Sequence, residues 1–85
     1  MEQLLDGVRR SLAAGYRSVK MRLGRPLLRE DVERVAAVRK LIGPDIELMA
    51  DANEAWRRDE AMRAFHALRD FGLVWIEEPS RPADF

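Results

Sequence analysis

The chain has no cysteine and a single histidine among its 85 residues, and aromatic residues make up only 7%. Without cysteine there is no disulfide framework and no thiolate metal site. No apolar run approaches the ~20 residues that a membrane helix needs. The start, Met1-Glu2-Gln3-Leu4-Leu5-Asp6, is acidic and its apolar stretch is short, unlike a secretory signal. Neither sign of charge prevails, since fifteen Lys+Arg balance fifteen Asp+Glu. A formal net charge of zero gives no general attraction to nucleic acid or an anionic membrane. The default expectation is a cytoplasmic protein with neither nucleic acid nor membrane as partner. No low-complexity segment or interdomain linker interrupts the chain.

Apolar residues make up 47%, which calls for a core rather than disorder. That core is expected to be thin, because a chain this short buries only about 60–65% of its unfolded surface. The length allows one domain or part of one, and it excludes a complete TIM barrel, which takes roughly 250 residues.

Helical and strand patterns alternate. Leu4, Leu5, Val8 and Leu12 recur at helical spacing within residues 2–14, and Gly15 follows as a stop. Ser18 to Leu23 alternates polar and apolar, a strand pattern that Gly24-Arg25-Pro26 breaks. A second helix fits residues 28–42, with Val32, Val35, Val38, Leu41 and Ile42 on one broad face. Its acids Glu30, Asp31 and Glu33 come early and Arg39 and Lys40 late, which suits the helix dipole. Gly43-Pro44 ends it. Ile46 to Asp51 reads as a second strand and Asn53 to Arg58 as a loop. A third helix fits residues 59–71, with Ala61, Met62, Phe65 and Leu68 apolar, and Gly72 caps it. Leu73 to Glu77 reads as a third strand, halted at Glu78-Pro79, and the tail to Phe85 reads as loop. The fold class is therefore α/β, in the order α-β-α-β-α-β. Strands joined through helices run parallel.

Sorting the strands by face places Val19, Met21 and Leu23 opposite Lys20 and Arg22. In the second strand Ile46, Leu48 and Ala50 oppose Glu47, Met49 and Asp51. In the third, Val74 and Ile76 oppose Leu73, Trp75 and Glu77. Each strand then has an aliphatic face suited to packing under helices. Each opposite face ends in charge at the C-terminal edge, where parallel α/β folds place their ligand sites. Lys20, Asp51 and Glu77 end successive strands at intervals of 31 and 26 residues, about one βα unit of a barrel. Two carboxylates facing one site repel unless protonated or bridged by a cation, and a hard ion such as Mg²⁺ relieves that repulsion. Simpler roles exist for each residue. Asp51 suits a turn, Glu77-Glu78 before Pro79 suits a solvated strand end, and Lys20 with Arg22 suits a charged edge strand.

The ordered set Lys20-Met21-Arg22, then Asp51-Ala52-Asn53, then Glu77-Glu78-Pro79 resembles the mandelate racemase/muconate lactonizing enzyme branch of the enolase superfamily. Flanking stretches add to it: Gly15-Tyr16-Arg17-Ser18-Val19 before the first motif, Ile42-Gly43-Pro44-Asp45 between the first two, and Trp75-Ile76 before the last. The likeness covers about residues 7–82. It implies a modified TIM barrel beside an N-terminal capping domain, and abstraction of the proton alpha to a carboxylate with Mg²⁺ stabilising the enediolate. By resemblance, Asp51 and Glu77 are metal ligands at the ends of the family's third and fourth barrel strands. Asn53 supports the site, as does Glu78. Lys20 matches the first lysine of a Lys-x-Lys motif that contacts the substrate carboxylate.

Arg22 departs from the family, standing where the second lysine, often the general base, belongs. Guanidinium groups stay protonated at any working pH and make poor bases, but they clamp carboxylates through two parallel hydrogen bonds. The resemblance then implies a base drawn from a histidine late in the barrel, and favours an acid-sugar dehydratase over a racemase or cycloisomerase. The family's third carboxylate ligand, late histidine and capping domain have no match in the 85 residues. His66, in the third helix, reads as a solvated residue.

Residues 1–85 are thus expected to be a fragment of the C-terminal barrel domain, carrying barrel strands two to four, inactive alone and weak in Mg²⁺ binding. Its open strand edges would favour self-association, and its barrel-facing residues Met49, Leu73 and Trp75 would lose their opposing wall. Phe65 and Phe71 are expected in the core and Trp56 against the third helix. Two rival readings come from other classes. One is a non-catalytic α/β association module. The other is a response-regulator-like domain with Asp51 as phospho-acceptor, against which Lys20-Met21-Arg22 supplies the wrong sign of charge.

Overall fold

The computed structural model describes residues 1–51 and 56–75, and the backbone of 83–84. Helix α1 (Glu2–Ala13) leads into strand β1 (Ser18–Arg22), helix α2 (Leu28–Ile42) and strand β2 (Glu47–Asp51). Helix α3 (Arg58–Leu68) then passes through a 3₁₀ turn (Arg69–Phe71) into strand β3 (Leu73–Trp75). A two-residue strand β4 (Ala83–Asp84) closes the series. The sheet runs β3-β2-β1-β4, and every pairing is parallel. The α/β class and the three parallel strands match the expectation from sequence. The tail differs: Ala83 and Asp84 pair with Val19 and Lys20 along the outer edge of β1 instead of forming loop.

One core lies between the sheet and the helices. Val19, Met21 and Leu23 of the first strand region, with Leu48 and Ala50 of β2, meet Val8, Val35, Val38, Ile42, Ala64 and Leu68. The periodicities of two along the strands and 3.6 along the helices bring these residues to one layer. Glu60 at the start of α3 accepts the backbone N–H of Arg57 at 2.9 Å, which secures that helix end. Gly72 sits in the left-handed region (φ 66°), so the chain can leave the 3₁₀ turn and enter β3 directly.

One side chain fastens the C-terminal ends of two helical segments. The Arg39 guanidinium donates to the carbonyls of Phe71 and Ile46, both at 2.8 Å, Gly43 at 3.1 Å and Gly72 at 3.2 Å. A planar fork of donors can serve carbonyls from both loops at once.

Two faces differ from the sequence expectation. The β2–β3 register pairs Leu48 with Leu73, Met49 with Val74 and Ala50 with Trp75. Leu73 and Trp75 therefore pack toward the helices, and Val74 shares the face of Met49 and is exposed. A one-residue change of parity flips every side chain of a strand, and burying leucine and tryptophan removes more apolar area from water than burying valine. Met49 stays buried on the opposite face rather than losing its cover.

In α3 the buried residues are Ala64 and Leu68, whereas Met62 and Phe65 are 51% and 41% exposed. Small alanines let the helix lie close to the sheet, and the bulkier side chains move to its flank. Phe65 there meets Trp75 edge-on, with ring centroids 4.7 Å apart, and Trp56 tilts against the same ring at 5.9 Å. Phe71 packs against the core and His66 is exposed, both as expected.

Candidate functional site

Lys20, Arg22 and Asp51 come together at the C-terminal ends of β1 and β2. Lys20 and Arg22 are two residues apart on one strand and so share a face. Register places Arg22 opposite Asp51, and Lys20 opposite Met49 on one side and Asp84 on the other. The backbone locks this end of the ladder, since the Leu23 N–H donates to the Asp51 carbonyl at 2.9 Å. Lys20 is 2% and Asp51 8% exposed, whereas Arg22 reaches solvent. All three have interaction partners. Among the described residues no buried side-chain nitrogen or oxygen lacks a hydrogen-bond partner. Asn53, Glu77 and Glu78 lie outside the described residues.

Lys20 and Asp51 are both buried, on one face at the C-terminal ends of β1 and β2. Asp51 offers hard oxygen donors, which suit Mg²⁺, an ion commonly held by one or two protein carboxylates with water completing its shell. Among the described residues no group of three or more His, Cys, Asp or Glu side chains gathers into a metal site. Asp51 fits the role of a ligand, and a second one has to come from elsewhere.

The loop between β1 and α2 has an organisation that the sequence reading did not anticipate. Asp31, whose place in the first turn of α2 suits the helix dipole, is fully buried. One of its oxygens accepts the backbone N–H groups of Gly24 (2.9 Å) and Arg25 (3.1 Å). The other accepts Arg34 Nη1 at 3.3 Å, and Arg34 Nη1 also donates to the Arg22 carbonyl at 3.0 Å. Gly24 adopts φ 114°, a conformation that side chains rarely reach, and this lets the turn fold back over the carboxylate. The available signal was an acid in the first helical turn just after a Gly-x-Pro break. Arg25 and Arg34, with Arg22, flank a cavity beside this turn.

The chain is similar to proteins of one known family. Residues 3–85 match the Enolase C-terminal domain-like family. The chain is 53% identical over 75 residues to 3,6-anhydro-alpha-L-galactonate cycloisomerase of Streptomyces coelicolor, covering 88% of this chain and 21% of that protein. It superposes on a Streptomyces coelicolor racemase with bound magnesium with a TM-score of 0.85 at 49% identity, over 93% of this chain and 22% of the other. It superposes on L-talarate dehydratase of Polaromonas sp. JS666, complexed with Mg and L-glucarate, with a TM-score of 0.83 at 41% identity, over 92% and 22%. The chain thus spans about a fifth of the length of these relatives. The relatives include acid-sugar dehydratases, racemases and cycloisomerases, and structures among them hold Mg. With the match running over nearly all its residues, the chain belongs to the enolase superfamily, in the branch of mandelate racemase and muconate lactonizing enzyme.

Proposed function

We propose that this chain is a barrel segment of a Mg²⁺-dependent enzyme that removes the proton alpha to the carboxylate of an acid sugar, with dehydration the favoured outcome. The supporting observation is the alignment of Lys20, Arg22 and Asp51 on one face at the strand ends, with Arg22 directly opposite Asp51. Asp51 would hold the ion; Glu77 enters as its second ligand on the family resemblance alone, since the face taken by Leu73 and Trp75 no longer argues for it, and Asn53 and Glu78 would support them. When bound, Mg²⁺ supplies positive charge against the negative charge that develops on the substrate carboxylate as its alpha proton leaves.

The side chains of this segment bind and orient. Lys20, held in place by burial, presents an ammonium to the substrate carboxylate. Arg22 offers two parallel donors to the same group or to a neighbouring hydroxyl. Arg22 is not the base, because an arginine cannot accept the proton at working pH; by the family resemblance the acceptor is a histidine from the remainder of a complete barrel. Loss of the beta hydroxyl as water after proton removal completes a dehydration.

The test is a chimera in which this chain replaces the matching segment of the Streptomyces coelicolor cycloisomerase. Mg²⁺-dependent turnover is expected to survive in the chimera and to be lost with Asp51→Ala. A folded chimera that turns over equally well with Asp51→Ala would overturn the assignment. The isolated 85-residue chain is expected to show no turnover of acid sugars.

A further inference from the structure

A cavity of about 290 Å³ opens at the C-terminal end of β1, lined by Arg22, Leu23, Gly24, Arg25, Pro26 and Arg34. Three of its lining residues are arginines, and among the described residues no acid lines it. The nearest acid among the cavity's hydrogen-bonding partners, Asp31, is fully buried, and its oxygens accept Gly24 N, Arg25 N and Arg34 Nη1. It therefore anchors the wall without offering the Arg25 side chain an exposed partner. Among the described residues Arg25 forms no ion pair. Arg34 uses only Nη1 in its two hydrogen bonds, to Asp31 and to the Arg22 carbonyl. These bonds fix the plane of the guanidinium and leave Nε and Nη2 as a ready pair of donors. Pro26 stiffens the rim.

We propose that this cavity is a binding site for an oxyanion, the carboxylate or phosphate group of a small molecule. A guanidinium fork pairs with two oxygens at once, and a second guanidinium can meet the remaining charge. The volume falls at the small end of ligand pockets and suits one anionic group and its immediate neighbours. Arg34 and Arg25 carry the binding. The site needs no metal, so it stands or falls separately from the Mg²⁺ reading above.

The experiment is an amide NMR titration of the whole 85-residue chain, without Mg²⁺ and at constant ionic strength. One arm uses inorganic phosphate and the other L-glucarate. Saturable shifts confined to residues 22–34 are expected in at least one arm, and the stronger arm identifies the anion class. Arg25→Gln should weaken binding about tenfold, the loss of one charge-assisted hydrogen bond, and Arg25→Lys should weaken it less. Arg63→Gln, on the exposed side of α3, should leave it unchanged. Arg34→Gln should also weaken it, and if that variant unfolds, Arg25→Gln still decides. Absence of saturation in both arms, shifts scattered over all surface arginines, or an Arg25→Gln titration that matches the parent would overturn the site.

Discussion

Arg22 and Asp51 face each other on the last shared rung of the β1–β2 pairing, where the strands hand over to their loops. An exposed cation thus stands across from a nearly buried acid. Asp51→Ala should abolish any Mg²⁺ response of the chain. That response is read by fluorescence of Trp75 and Trp56, whose rings meet at a tilt. Asp51→Asn keeps the shape and removes the charge, so it should behave like the alanine variant toward the ion. Undiminished Mg²⁺ binding by either variant would rule Asp51 out as a ligand.

Asp31 is the polar keystone of the β1–α2 turn. Asp31→Ala strips partners from Gly24 N, Arg25 N and Arg34 Nη1 together. Leaving buried donors unpaired costs about 1–3 kcal/mol, and more where a charge is stranded. Urea unfolding should therefore show a loss of about 2–4 kcal/mol. A change below about 0.5 kcal/mol, the usual surface value, would show that the turn does not depend on this carboxylate.

Arg39 joins the end of α2 to the turn before β3 through four carbonyl contacts. Arg39→Ala should cost about 2–3 kcal/mol by the same measurement, since hydrogen bonds from charged groups contribute about 1.5–3 kcal/mol and these four share one side chain. Arg39→Lys should recover only part of this, because an ammonium cannot reach both loops in one plane.

The rotation of α3 gives a contrast between neighbours. Leu68 is fully buried, so Leu68→Ala should cost about 2–5 kcal/mol. Met62 is half exposed, so Met62→Ala should stay within about 0.5 kcal/mol. Equal costs would mean that Met62 and Phe65 form the packed face after all.

Gly72→Ala should destabilise by about 1 kcal/mol, the penalty of a side chain in the left-handed region. Space is not the cause, since an added Cβ would meet only Arg39 Nη2 at 3.5 Å. Thermal unfolding of this variant beside Ala67→Gly, on the exposed side of α3, separates backbone strain from helix propensity.

Much of this protein was legible along the chain. The strict alternation of Ser18 to Leu23, the apolar stripe of residues 28–42 and the glycines behind each helix are local signals. They dictate α2 over Leu28–Ile42 and β1 over Ser18–Arg22 because period and punctuation are properties of neighbouring residues. The shared face of Lys20, Arg22 and Asp51 was legible for the same reason: side-chain parity follows from counting once strands are parallel and in register.

The three-dimensional packing decided what counting could not. Leu73-Val74-Trp75 is apolar throughout, so its parity had no local marker, and the competition to bury Leu73 and Trp75 against the helices settled it. Met62 and Phe65 yielded the inner face of α3 to Ala64 and Leu68 because small residues allow close approach to the sheet. Asp31 turned inward because Gly24 N, Arg25 N and Arg34, up to seven residues away, could together satisfy a buried carboxylate. The sequence by itself determined which segments become helix and strand and which residues share a strand face, since those follow from local stereochemistry. Only the tertiary structure decided which apolar face is buried and which charges are neutralised, since both depend on how the turns and elements pack in space rather than on the order of residues along one segment.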